Sequence, residues 1–120
     1  MRKEVKVVMK SFKKETKNLT KKTTDNINFE VSKGFLKRNK EERQKFVNEM
    51  KTYIDTKVEV YNESLEEIFL NYNNELDEIG LTIMETKEVE RQVLGPIHKY
   101  WAKLNKSLAR YDSSLTVHEL

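Results

Sequence analysis

The chain contains no cysteine, which excludes disulfides, thiol nucleophiles and cysteine-held zinc, and makes a reducing cytoplasm its simplest setting. One proline and three glycines among 120 residues are too few for the tight turns of a hairpin-built protein. Apolar residues are scarce as well, at 37% against 36% charged, so a thick globular core is not expected. No apolar run approaches the length needed to cross a bilayer, and Met1-Arg2-Lys3 is not followed by the apolar core of a signal peptide. A phosphate-cradling glycine motif, a nucleophile elbow and a His-Glu-x-x-His pair are all missing. The expectation is a protein that is not an enzyme, with no cofactor and no small-molecule substrate.

Lysine, glutamate, asparagine and leucine fill the chain instead, a composition that favours helices burying one stripe each. The fold class expected is all-α: an elongated helical hairpin or small bundle with a long, heptad-like central helix. One domain over residues 1–112 is predicted, followed by a tail over 113–120. Net charge is only +3, yet it is partitioned at about +9 over residues 1–45, about −9 over 46–90 and about +3 over 91–120. The basic third therefore either folds back on the acidic middle or reaches for an anionic partner.

Val5, Val8, Met9, Phe12 and Leu19 recur at helical spacing among lysines, predicting a basic amphipathic helix over 2–24. Lys10, Lys13, Lys14, Lys17, Lys21 and Lys22 are its candidate contacts with an anionic membrane or nucleic acid. Arginine is sparse there and Phe12 is the only early aromatic, which disfavours base-specific reading. Residues 27–38 are ambiguous: Ile27, Phe29 and Val31 alternate as in a strand, while Asp25 or Asn26 suits a helix cap. Helix is preferred because no second strand is evident to pair with them.

Asn39 stands three residues before Glu42, a capping signature that starts a helix predicted over about 40–84 and on the order of 65 Å long. Ile54, Val58, Tyr61, Leu65, Ile68 and Tyr72 form its seam, assigned to self-association, with Val47, Leu76, Ile79 and Ile83 extending it. Phe46, Met50, Tyr53, Val60 and Phe69 widen the stripe beyond a two-position seam. A third helix over about 86–111 carries Val89, Val93, Ile97, Trp101, Leu104, Leu108 and Tyr111 on one face. Its periodicity passes through Gly95-Pro96 without losing phase, so a kinked helix or a tight helix-to-helix corner both fit, the kink being preferred, with Pro96, Ile97 and Trp101 packing at the bend.

His98, beside Tyr100 and Trp101, has no partner at metal or triad spacing and reads as an ordinary helix histidine. His118 falls in the tail. Glu63, Glu66 and Glu67, like Asp77 and Glu78, read as solvent-facing charge.

The segments "KFVNEMKTY" at 45–53 and "EVERQVLGPIHKY" at 88–100 resemble the first half of a BAR domain, closest to the Chibby-interacting BAR type. That resemblance implies an antiparallel dimer of curved helical bundles binding curved anionic membrane through lysines. The residues themselves predict a non-catalytic, self-associating assembly module, partnered by its own copies or another helical protein. The alternative they leave open is a peripheral binder of anionic surfaces.

Overall fold

The computed structural model describes the backbone of residues 1–36 and 39–119; the side chains of Phe35, Leu36, Pro96, Trp101 and 110–119 fall outside the described residues. The described residues form three α-helices: α1 over Lys3–Ser32, α2 over Lys40–Ile79 and α3 over Ile83–Glu119. A short 3-10 turn, Lys33–Leu36, follows α1. The bundle measures 61 × 19 × 15 Å. That length is about the 60 Å that a 40-residue helix such as α2 spans at 1.5 Å per residue. The all-α, elongated fold expected from composition is the one observed.

The helices run up, down and up. Ile27 and Val31 of α1 share a core cluster with Phe46, Val47 and Met50 at the start of α2, so these two helices are antiparallel. Arg2 meets Glu85, and further along Lys13 meets Gln92, so α1 and α3 are parallel. Val5, Met9, Phe12, Leu76 and Val89 close one end of the bundle, where Phe12 packs against the rings of Phe69 and Tyr72 at 5.5 and 5.6 Å. Tyr61, Leu65 and Leu104 fill the middle.

Helix α1 runs eight residues past the expected end at 24. Its buried positions are Val5, Met9, Phe12, Thr16, Thr20, Thr23, Ile27 and Val31, an unbroken series of steps of three and four. The threonines take the place of apolar residues because their hydroxyls are satisfied locally. Thr16 Oγ1 donates to the Phe12 carbonyl at 2.8 Å, and Thr20 Oγ1 to the Thr16 carbonyl at 2.9 Å, the back-bonding geometry open to Ser and Thr. The strand-like alternation at 27–31 fails at Phe29, which is 63% exposed.

Helix α2 starts where expected, with Asn39 Oδ1 accepting from the Glu42 amide at 2.7 Å. It ends at Ile79, five residues early, because Gly80 takes φ 74° and its amide closes on the Leu76 carbonyl. Only glycine enters that backbone region without steric cost. The corner is then fixed by a capping box that opens α3. The Glu85 amide donates to Thr82 Oγ1 and the Thr82 amide donates to Glu85 Oε1, both at 3.1 Å. Ile83, expected in the seam, is instead 79% exposed at this corner. Val60, expected to widen the stripe, is also exposed.

Helix α3 continues without interruption through Gly95-Pro96 and on to Glu119, so the chain does not turn a helix-to-helix corner at the proline, and the helical backbone runs on through 113–119. The two BAR-like segments fall on α2 and α3, where Phe46, Val47, Met50 and Val89 are core residues.

Candidate interface on the lysine flank

The residues assigned to self-association lie inside the single chain. Ile54, Tyr61 and Leu65 are buried. Val58, Ile68 and Tyr72 are half-buried against the same clusters. Helices α1 and α3 cover much of this seam within the single chain. Of the bend residues, Ile97 packs against the end cluster of Val5, Met9 and Phe12, while the side chains of Pro96 and Trp101 lie outside the described residues.

The lysines are arranged otherwise than the charge partition suggests. Lys3, Lys6, Lys10, Lys13, Lys17 and Lys21 recur three or four apart, which places them on one flank of α1. That flank turns toward α3, away from the acidic α2. Lys6 shares a hollow with Glu85, Glu88 and Gln92. Lys13 Nζ donates to Gln92 Oε1 at 3.0 Å. Lys17 and Lys21 line a groove of about 340 Å³ together with Thr20, Asp25, Lys99, Tyr100 and Lys103. On the opposite flank, the hollow facing Tyr72, Glu75 and Glu78 is lined from α1 by Val7, Val8 and Ser11.

Among the described residues, no lysine of α1 forms an ion pair with a carboxylate of α2. The ion pairs seen include Arg2–Glu85, Lys33–Glu30 and Arg91–Glu88. Of the predicted contact lysines, Lys10, Lys14, Lys17 and Lys21 are exposed, whereas Lys13 is half-buried on Gln92. Lys22 is exposed but sits off the groove, beside Asn18 and Asn26.

What sequence reasoning missed is the second wall. Lys99, Lys103 and Lys106 repeat at four and three residues on α3 and are all exposed. Their spacing is a legible signal, but pairing them with Lys17 and Lys21 requires knowing that α1 and α3 are parallel and in this register.

Arg2 sets that register. Its guanidinium donates to both carboxylate oxygens of Glu85, at 2.7 to 3.1 Å, and to the Gly80 carbonyl at 2.6 Å. Among the described residues Glu85 is the one buried carboxylate. The Arg2 guanidinium first, and then the Thr82 amide, hold its carboxyl at about 2, well below the ordinary 4.5.

The remaining candidates do not assemble into a site. His98 is exposed, as are Glu63, Glu66, Glu67, Asp77 and Glu78; His118 lies outside the described side chains. Among the described residues no group of three or more His, Asp or Glu side chains is placed to hold a metal ion, and no helix is long and apolar enough to cross a membrane. No family model, curated protein or solved structure matches this chain.

Proposed function

We propose that this protein is a non-catalytic helical binding module that engages an anionic partner through the lysine flank of α1, in the cytoplasm or another reducing compartment. The observation that carries this is the absence, among the described residues, of ion pairs between the α1 lysines and the carboxylates of α2. A basic helix serving an acidic neighbour would turn its charges toward it. Here the lysines collect on the far flank, where they outnumber the carboxylates beside them and an outside anion would relieve their mutual repulsion.

The test is binding of the intact protein to vesicles rich in anionic lipid and to nucleic acid, at low salt. Replacing Lys10, Lys14, Lys17 and Lys21 with Gln should weaken binding at least about tenfold, with helicity and solution mass unchanged, because each removed charge contributes on the order of 1 kcal/mol near such a surface. Failure of the intact protein to bind either probe would refute the proposal.

Assembly is the second reading, favoured by one feature. Ile83 and Met84 are 79% and 82% exposed at the corner between α2 and α3, with Met1 nearby on the same end of the bundle. A homo-oligomer or a helical partner would dock at this end of the bundle rather than along the α2 seam. Light scattering of the intact protein against the Ile83→Ser/Met84→Ser variant tests it: equal masses, both monomeric, would remove self-association through this end.

A further inference from the structure

We propose that the groove between α1 and α3, walled by Lys17 and Lys21 on one side and Lys99 and Lys103 on the other, holds the phosphodiester backbone of a nucleic-acid strand. This rests on the anionic-partner function above and names its occupant. Among the described residues, four ammonium groups border the hollow against one carboxylate, Asp25. Among the described residues, none of the four lysines has an ion-pair partner. The two walls run parallel, and the lysines within each are four residues, or about 6 Å, apart along the helix axis. Facing rows of cations at that interval suit a linear polyanion lying between them. The α1 row continues through Lys13, Lys10, Lys6 and Lys3, extending over about 27 Å from Lys21.

A membrane surface fits this geometry less well. A basic amphipathic helix binds a bilayer by inserting its apolar face, but the apolar face of α1 is occupied in the core by Val5, Met9, Phe12, Ile27 and Val31. None of the exposed large apolar side chains among the described residues lines the groove. A concave channel also meets a flat surface only along its rims. The contacts offered are nearly all to phosphate: lysine is a point charge without the bidentate fork that reads base edges. Tyr100 is the one aromatic among the described residues that line it. Binding should accordingly tolerate any base sequence.

The experiment is fluorescence anisotropy of a labelled, mixed-sequence single-stranded oligonucleotide with the intact chain, repeated across a salt series. Four lysine–phosphate contacts predict a slope of about −2.8 in log affinity against log salt, a loss of about 50-fold between roughly 50 and 200 mM. Lys99→Gln/Lys103→Gln should bring the slope to about −1.4, a loss of about 7-fold over the same range. Lys40→Gln/Lys45→Gln, with the same change in net charge, should leave the slope at its parental value. If the Lys99/Lys103 variant behaves like that control while α1 variants lose binding, the groove is overturned and the α1 flank alone remains. Tighter binding to anionic vesicles than to the oligonucleotide at equal salt would overturn the nucleic-acid assignment and keep the anionic-partner function. No binding to either probe would overturn both.

Discussion

Gly34→Ala should destabilise this protein, although the same change in an exposed helical turn ordinarily stabilises by about 0.4–1 kcal/mol through the unfolded chain. Gly34 lies in the 3-10 turn after α1, packed onto the ring of Phe46 in α2. A Cβ at this position would stand 2.4 Å from Phe46 Cε1, 2.8 Å from Cζ and 3.0 Å from Cδ1. Carbon atoms in good contact sit about 3.5–4.0 Å apart, so the ring must retreat by about 1 Å. It has little room, because Phe46 is buried in a cluster with Ile27, Val31, Val47 and Met50. Overpacking of that kind costs about 1–3 kcal/mol. Taking the middle of that range, about 2 kcal/mol, and setting the unfolded-chain gain against it leaves a net loss of about 1–2 kcal/mol. For 120 residues the unfolding entropy is about 0.25 kcal/mol/K, so Tm should fall by about 4–8 °C. Urea denaturation followed by far-UV circular dichroism reads the loss directly. A double-mutant cycle isolates its cause: in a Phe46→Leu background, Gly34→Ala should cost at least about 1 kcal/mol less than in the parent. A Gly34→Ala protein as stable as the parent, or an additive cycle, would refute the packing of this turn against Phe46.

Leu104 is fully buried beside Tyr61 and Leu65, so Leu104→Ala should cost about 2–5 kcal/mol in the same denaturation assay; a loss under 1 kcal/mol would mean that this part of α3 is not docked on the bundle. Pro96 stands inside a continuous helix, where proline removes a hydrogen bond and costs up to about 3 kcal/mol, so Pro96→Ala should raise Tm without altering the solution mass. Glu85 has its pKa lowered from 4.5 to about 2, so its contribution is fully present above pH 4.5 and is lost as pH falls toward 2. Glu85→Gln should flatten the acid limb of the stability profile in that window, and an unchanged limb would contradict the Arg2 contact. Burial first, and then Glu15, pushes Tyr72 up to about 12. Its contribution should therefore hold below pH 10 and fade as pH rises through 12, and a Tyr72→Phe difference in ultraviolet titration should place its midpoint near 12.

The helices, the Asn39 cap and the lysine spacing were legible in the sequence because each is a local matter: periodicity places residues on one face, and a cap needs only neighbours three positions apart. The buried threonines of α1 escaped because their type reads as polar. Only the packed helix shows that Thr16 and Thr20 satisfy their hydroxyls on carbonyls four residues back. The early stop of α2 depends on the backbone of Gly80, and a glycine inside a helical pattern does not by itself announce a corner. Above all, spacing on a single helix does not say which neighbour each flank will face. The α2 stripe serves an oligomer or a bundle equally well until α1 and α3 are seen to cover it. The lysines of α1 turn away from the acidic helix because the buried stripe and the Arg2–Glu85 contact fix the rotation and register of α1. Burying the apolar stripe commits several kcal/mol to one arrangement, whereas exposed, screened charges on opposite faces contribute far too little to reverse it.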